Sequence, residues 1–278
     1  MSRSIPRVLA MHDLSGFGRC ALTVVIPVMS ALGVQVCPVP TAALSTHTGG
    51  FTGFSFVDMT DFMGRTLAHY RSLSLSFDGI YSGFLGNEAQ CAVVEESIDS
   101  FGGGLVLVDP VLGDNGTLYE TVTRGLVDNM RRLVSRADWI TPNVTEAAYL
   151  LEESPDRVLT EEQAVSWGKR LCGLGPDFCV LTGVHRAGMD GQVFSLLYEG
   201  KSGRHFFYGS REVYGEYPGA GDAFSSVLLG CLLRGMSREQ SMIRASDFVF
   251  KSISLAREQG EPPRDGLPIE ALLPGLYQ

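Results

Sequence analysis

The sequence predicts an α/β domain in which helices cover both faces of a mostly parallel sheet. Short apolar segments alternate with longer helical segments along most of the chain. The composition, 45% apolar and 19% charged over 278 residues, is typical of compact α/β domains. The chain opens with a strand over 7–11, a helix over about 21–32 and a strand over 34–39, which is a β-α-β unit. We expect residues 1–278 to form one domain.

The alternation continues after one interruption. Residues 41–57 are rich in Thr, Ser, Gly and Phe, and we expect a small β insertion there that projects from the sheet edge and acts as a lid. Alternating polarity over 191–208 predicts an antiparallel hairpin. The other predicted elements are helices over about 61–73, 88–100, 118–134, 161–174, 220–234 and 238–258, and strands over 79–82, 105–108, 139–140 and 178–181. The tail after residue 262 looks irregular.

Charge and cysteine content narrow the class of protein. A net charge of −9 argues against a general nucleic-acid binder and against binding to an anionic membrane. The six cysteines include no CxxC pair, which is typical of reduced thiols in a cytoplasmic protein. We find no signal peptide, and no apolar run reaches the roughly 20 residues that a membrane-spanning helix needs.

Polar residues follow several of the predicted strands. They are Asp13, Ser82, Asp109, Asn143 and Thr182. In open α/β sheets, ligands bind beyond the carboxyl ends of the strands, so these residues should share one rim. Asn143 and Glu146 also have the spacing of a helix capping box, which is the favoured interpretation of that pair alone.

A second group of candidate residues lies at 219–222, where Gly219, Ala220, Gly221 and Asp222 precede a predicted buried helix. The N–H groups of a helix N-terminus bind anions, phosphates above all. A carboxylate among them can also accept the proton of a hydroxyl that attacks a phosphate. The alternative is a tight turn in which Asp222 simply caps the helix.

Several other sites are not supported. The sequence has no G-x-x-x-x-G-K-[ST] phosphate loop, no zinc spacing and no G-x-S-x-G elbow. Residues 16–21 match the dinucleotide fingerprint G-x-G-x-x-[GA], but no acidic residue lies between Asp13 and Asp58. That acid is needed about 20 positions later to bind the ribose. A dehydrogenase is therefore disfavoured.

The motifs taken together are more specific than each alone. N-x-x-E at 143–146 and G-x-G-D at 219–222 resemble the marks of ribokinase-like small-molecule kinases. Pro40-Thr41 with S-T-H-T at 45–48, S-G-F-L-G at 82–86 and D-P-V-L-G at 109–113 resemble motifs of the pyridoxal kinases. The resemblance extends from about residue 8 to residue 255, with the motifs in that family's order.

The resemblance implies a three-layer ribokinase-like sandwich and a kinase of vitamin B6 salvage. Such an enzyme transfers the γ-phosphoryl group of ATP to the 5′-hydroxymethyl group of pyridoxal, pyridoxine or pyridoxamine. The resemblance also implies that the enzyme uses Mg²⁺ and forms a homodimer in the cytoplasm. It leaves open whether K⁺ is required. A hydroxymethylpyrimidine kinase of thiamine synthesis is the alternative with the same chemistry. A non-catalytic ligand-binding homologue is the alternative of another class.

The resemblance also implies roles for individual residues. Asp222 would be the base, and the amides of Gly219, Ala220 and Gly221 would stabilise the transferred phosphoryl group. The substrate would be bound by Asp13, His47, Thr48, Phe84 and Asp222, with Phe17 packed on the ring. ATP would be bound by Asp109, Asn143, Glu146, Thr182 and Gly221. Asp109 and Glu146 would hold the metal.

Three positions depart from the pyridoxal kinase pattern. Asp13 stands where many members have Ser, and Phe84 replaces a Tyr. Thr182 replaces a Lys that contacts the nucleotide phosphates, so we expect another basic residue to take that part. The candidates are Arg19, Arg186 and Arg211.

Overall fold

The structure is a computed structural model that describes residues 5–155, 158–213 and 215–277. Its strands are β1 (Arg7–Phe17), β2 (Gln35–Thr46), β3 (Phe56–Asp58), β4 (Gly79–Ser82), β5 (Leu105–Val108), β6 (Gly113–Asp114), β7 (Thr117–Leu118), β8 (Trp139–Ile140), β9 (Val158–Leu159), β10 (Phe178–Arg186), β11 (Gln192–Glu199) and β12 (His205–Arg211). Its helices are α1 (Leu22–Ala31), α2 (Thr60–Ser72), α3 (Glu88–Phe101), α4 (Arg124–Val134), α5 (Val144–Leu151), α6 (Glu161–Cys172), α7 (Ala220–Leu233) and α8 (Arg238–Gln259).

Within the described residues, one large sheet has the strand order β12-β11-β10-β8-β5-β4-β1-β2-β3, with β9 paired to β10. The strands from β10 to β2 are all parallel, whereas β3, β11 and β12 pair antiparallel at the two edges. The predicted α/β class and its mostly parallel sheet are confirmed.

Strand β1 explains why both faces of the sheet carry helices. Leu9 and Met11 belong to a buried apolar cluster with α2 to α6, and Val8 and Ala10 belong to a second cluster with α1, α7 and α8. All four side chains are fully buried. Successive side chains of a strand point to opposite faces, so a central strand buried on both faces is a continuous apolar run. The three layers follow from this pattern.

The first two strands are longer than the apolar pattern predicts. Strand β1 continues to Phe17 and β2 to Thr46, and the register between them shifts between His12 and Leu14. Pairing uses backbone groups, so polar and glycine residues can extend a strand without an apolar signal. Residues 41–46, which we expected in an insertion, therefore continue the central sheet, and β3 pairs back on them.

The predicted start of the fourth helix at 118 is wrong. Thr117–Leu118 pairs with Gly113–Asp114 as a two-stranded hairpin, with Asn115 and Gly116 at positive φ in its turn. Helix α4 begins only at Arg124, after Thr123 accepts a hydrogen bond from the Leu126 N–H. This local cap, rather than hydrophobic periodicity, sets the helix start.

The tail contains three short 3₁₀ turns, at Pro263–Asp265, Ile269–Ala271 and Leu273–Leu276. Ile269 and Leu276 are buried in the cluster with α1. Arg19 binds Glu261 and Glu270 through its guanidinium. The tail is thus held against the segment between β1 and α1. In the part of the chain that the structure describes, no helix combines the length and apolar character needed to cross a membrane.

Candidate active site

One cleft of about 880 Å³ lies at the carboxyl ends of the parallel strands, where the sequence predicts a ligand site. This volume is typical of small-molecule sites. The predicted site residues that line it are Asp13, His47, Thr48, Phe84, Asp109, Asn143, Glu146, Thr182, Gly219, Ala220, Gly221 and Asp222. Ser82, also expected on the rim, is fully buried beside it.

Asp222 lies in the first turn of α7 but does not cap that helix. The N-cap is Gly219, and no side chain makes a capping hydrogen bond there. Instead, Asp222 Oδ2 accepts a hydrogen bond of 2.7 Å from the Ala21 N–H. The carboxylate is 15% exposed, so it borders the cleft while one oxygen is fixed. The capping alternative for Asp222 is therefore wrong.

Gly219 is at a position that only glycine fits. Its φ is 84°, and a Cβ there would lie 2.1 Å from the carbonyl oxygen of Arg19. This close approach brings the N-terminus of α7 against the segment after β1. First-turn amides of a helix have no intrahelical partner and favour an anion. The Ala220 N–H already donates to Tyr217 O at 3.3 Å, so this amide is less available than the prediction assumed.

Asp109 follows β5 and is 4% exposed. The Ser225 hydroxyl lies 3.1 Å from Asp109 Oδ2 and 2.8 Å from Thr141 Oγ1, and it can donate to either. Burial raises the pKa of Asp109 well above its usual range, and the negative charges of Glu146 and Asp222 raise it further. Asp109 is therefore a buried carboxyl group with no cationic side chain paired to it among the described residues.

Asn143 and Glu146 form the capping box of α5. Asn143 Oδ1 accepts from the Glu146 N–H, and Glu146 Oε2 accepts from the Asn143 N–H, both at 2.9 Å. Glu146 Oε1 accepts from the Leu112 N–H at 3.1 Å. Both residues line the cleft, but their side chains also hold the strand end in place. Burial is the main cause that raises the pKa of Glu146.

Asp109 and Glu146 are suited to bind a divalent cation, but the described side chains would not complete its coordination. Asp109 and Glu146 are each 4% exposed, and the charge of Glu146 contributes to the raised pKa of Asp109. A cation would offset this repulsion. The described residues contain no group of three or more His, Cys, Asp or Glu side chains that could hold a metal. Such an ion would need phosphate oxygens and water as further ligands, as Mg²⁺ commonly has.

His47 ties the segment after β2 to the tail. Its Nε2 lies 2.7 Å from Arg264 O, and its Nδ1 accepts from the Gly49 N–H at 3.1 Å. Both ring nitrogens are thus engaged within the protein. His47 can offer a ligand its ring carbons, whereas the neighbouring Thr48 is half-buried with its side chain on the cleft wall.

Asp13 lies at the register shift of β1 and is 7% exposed. Burial raises the pKa of Asp13 to about 6, although the Ser15 hydroxyl, which donates to Oδ2 at 2.7 Å, lowers it. Phe84 is half-buried and lines the same end of the cleft. Phe17 is 52% exposed, packs edge-on against Phe51 and does not line the cleft, so its predicted ring contact is wrong.

The three arginines that could replace the missing Lys have different contacts in the structure. Arg19 is bound to two glutamates, and Arg186 binds Glu161 and lies over two phenylalanine rings. Arg211 lines the cleft. Within residues 5–155, 158–213 and 215–277, no carboxylate pairs with it. Arg211 is therefore the candidate that can meet a ligand phosphate.

The far end of the cleft is apolar. Its wall is formed by Val193 of β11 and by three residues of α8, namely Val249, Phe250 and Ile253. Glu212 and Glu216 also line the cleft, and they bind His185 and Asn115 respectively. Sequence reasoning missed this wall, because its residues come from a hairpin and a helix far apart in the chain.

Known proteins resemble this chain over most of its length. A family model described as phosphomethylpyrimidine kinase matches residues 26–264. One similar structure is that of a candidate phosphomethylpyrimidine kinase from Bacteroides thetaiotaomicron, crystallised with pyridoxal. It is 38% identical in sequence and has a TM-score of 0.95, and the match covers 99% of this chain and 96% of that one. Pyridoxal kinase from Lactobacillus plantarum is 30% identical with a TM-score of 0.89, covering 98% and 97%. The pyridoxal kinase PdxY of Vibrio campbellii is 25% identical over 267 residues, 91% of this chain and 89% of the relative.

Proposed function

The chain belongs to the phosphomethylpyrimidine kinase family, and from that premise we propose that it is a pyridoxal kinase. It transfers the γ-phosphoryl group of ATP to the 5′-hydroxymethyl group of pyridoxal, pyridoxine or pyridoxamine. The observation that carries this proposal is the Asp222 carboxylate at the N-terminus of α7, beside a cleft that can hold both substrates. The Bacteroides relative crystallised with pyridoxal and the pyridoxal kinase relatives support the B6 substrate. The fold is ribokinase-like.

The transfer needs a base and a positive field around the moving phosphoryl group. Asp222 accepts the proton of the 5′-hydroxyl, whose oxygen attacks the γ-phosphorus while the bond to the β-phosphate oxygen breaks and ADP leaves. The first-turn amides of α7, with Gly219 and Gly221, stabilise the charge on the phosphoryl oxygens. Such stabilisation by fixed dipoles is the main contribution of a protein to phosphoryl transfer.

We assign the apolar end of the cleft to the adenine of ATP, because the apolar side chains of Val249 and Phe250 line it. Thr182 and Asn143 border the phosphates, and Asp109 and Glu146 would hold Mg²⁺. When bound, this ion neutralises charge on the phosphates. A role for K⁺ stays a proposal that activity assays with and without the ion will test.

We assign the opposite end to the vitamer. Asp13 contacts the substituents of the pyridine ring, and Phe84 and Thr48 contact the ring itself. Residues 47–55, the part of the predicted insertion between β2 and β3, act as a lid that excludes water, which competes with the substrate hydroxyl for the phosphoryl group. None of the six cysteines, all of which lie in the described part of the chain, forms a disulfide, and this supports a cytoplasmic location. The exposed Phe56 and Val57 on edge strand β3 support a homodimer, which light scattering after size exclusion will test.

The test of the proposed function is ATP-dependent phosphorylation of four compounds by the purified protein with Mg²⁺. We expect turnover of pyridoxal, pyridoxine or pyridoxamine at a rate well above that of hydroxymethylpyrimidine. Preference for hydroxymethylpyrimidine would support the alternative kinase, whereas no turnover of any compound, with binding retained, would support a ligand-binding homologue.

Replacing Arg211 by Ala should weaken ATP binding selectively. A lost charge-assisted hydrogen bond to phosphate should raise the KM for ATP by roughly 10-fold or more. The KM for pyridoxal should stay the same. Steady-state kinetics will measure both constants, with Arg204→Ala as control, because that side chain is exposed and does not line the cleft. An unchanged KM for ATP would remove Arg211 from the phosphate site.

Replacing Asp13 by Asn should stabilise the protein more at high pH than at low pH. Because burial raises the pKa of Asp13 to about 6 from an ordinary 3.8, the folded protein holds this proton more tightly than the unfolded chain. Ionisation therefore opposes folding as pH rises through this range. The expected gain is up to about 3 kcal/mol near pH 8 and roughly half of that near pH 5.

Denaturant unfolding of both proteins at the two pH values will measure this gain. The exposed Asp61 of α2 offers a matched control, since Asp61→Asn should change neither value by more than about 0.5 kcal/mol. An equal gain at both pH values would mean that the effect of Asp13→Asn is not caused by ionisation.

A further inference from the structure

His12 is a fully buried histidine directly behind the proposed base. It is 0% exposed, and among the described residues neither ring nitrogen has a hydrogen-bond partner. Its Nδ1 lies 3.6 Å from Asp222 Oδ1. Leaving a buried ring unpartnered costs stability, so a fold that keeps it there needs a compensating contact or a function.

The surroundings of His12 hold its ring in one orientation. The ring packs edge-on against Tyr81, with centroids 4.2 Å apart. On the other side, a Cβ at Gly83 would lie 2.1 Å from His12 Nδ1. Gly83, the glycine of the S-G-F-L-G segment, therefore makes room for this ring. The Nδ1 edge of the ring thus lies against Gly83 and 3.6 Å from the Asp222 carboxylate of α7.

In the described part of the chain, the groups that face His12 from the elements packed around it are acidic or neutral. Asp222 faces it from α7, Asp13 interacts with it electrostatically from β1, and Tyr81 contacts it from β4. In the neutral ring, one nitrogen carries the proton and the other accepts. With a carboxylate oxygen of Asp222 3.6 Å from Nδ1, the Nδ1–H tautomer is the favoured one.

We propose that His12 is a positioning residue for Asp222, donating from Nδ1–H to Oδ1 when the substrates are bound. The Ala21 N–H already fixes Oδ2 at 2.7 Å. With a second donor on Oδ1, both carboxylate oxygens are fixed, and the group is turned toward the substrate hydroxyl. The distance of 3.6 Å is longer than a hydrogen bond, as catalytic contacts often are before substrates bind. The inference rests on the proposed function, because it takes Asp222 as the base.

Two replacements test the proposal through kinetics. His12→Phe keeps the ring packing and removes both nitrogens, whereas His12→Asn keeps a donor near the position of Nδ1. We expect His12→Phe to lower kcat by about 10-fold, to leave both KM values within about twofold and to move the acid limb of the kcat–pH profile upward. His12→Asn should recover most of the loss. In an Asp222→Asn background, His12→Phe should have no further effect.

Turnover by the unaltered protein tests the proposed function separately, before any variant is compared. The tautomer is tested without turnover, by the ¹⁵N spectrum of the imidazoles, with His12 assigned from its absence in His12→Asn. A proton on Nε2 alone would overturn the proposal, and so would a His12→Phe enzyme with unchanged kcat and acid limb. Equal losses in the Phe and Asn variants would also overturn it. If His12→Phe does not fold, the tautomer and the Asn variant decide the case.

Discussion

Asp222→Asn should lower kcat at least ~10²-fold while both substrates still bind, as is usual when a general base is lost. The amide oxygen can still accept from the Ala21 N–H, which now binds Asp222 Oδ2, so the local fold should be kept. Steady-state kinetics and calorimetric titration with pyridoxal will measure the two effects.

The control for this replacement is Asp128→Asn on α4, where the carboxylate is 62% exposed. It removes the same charge from the protein far from the cleft, and its rate should match that of the unaltered enzyme. A rate of Asp222→Asn within about threefold of the control would rule out Asp222 as the base.

Gly219→Ala should cause a loss of similar size by a different route. The new Cβ would lie 2.1 Å from the Arg19 carbonyl oxygen, so the first turn of α7 must move away from the segment after β1. The amides and Asp222 then lose their alignment with the phosphoryl group. We expect kcat/KM to fall at least ~10²-fold, because misplacing groups by about 1 Å can cost that much.

Gly235→Ala, just beyond the other end of α7, is the matched control. Gly235 has a φ of 83°, almost the same as Gly219, but a Cβ there would meet no atom within 4 Å. It should therefore lose about 1–2 kcal/mol of stability from backbone strain alone and keep its activity. If the two variants lose activity equally, strain rather than the contact with Arg19 is the cause.

The sequence was informative where the chemistry needs particular residue types at short spacing. Gly219 and Asp222 stand out because small residues and an acid precede an apolar helix. Asn143 and Glu146 stand out because a capping box has fixed spacing, and the structure forms that box at the cleft. The alternation of apolar segments likewise predicted the parallel sheet, since each central strand is buried on both faces.

The sequence was uninformative where a residue acts through contacts distant in the chain. His12 reads as an ordinary polar residue after a strand, and only the packing of Tyr81 and Gly83 shows why it is buried. The hydrogen bond between His47 and the carbonyl oxygen of Arg264 joins positions more than two hundred residues apart. The sequence predicted too short a β1, because the backbone pairing that extends this strand to Phe17 does not depend on the side-chain pattern.

The contacts of Arg19 and His47 with residues 264–265 affect how the chain folds during synthesis. The Arg19 N–H donates to Asp265 O, and His47 binds Arg264 O. Both partners are synthesised more than two hundred residues after β1 and β2. These two strands can pair early, but the wall of the cleft that they help to form is completed only after residues 264 and 265 have left the ribosome. Such long-range closure is slow compared with local folding, so nascent chains expose an unfinished cleft.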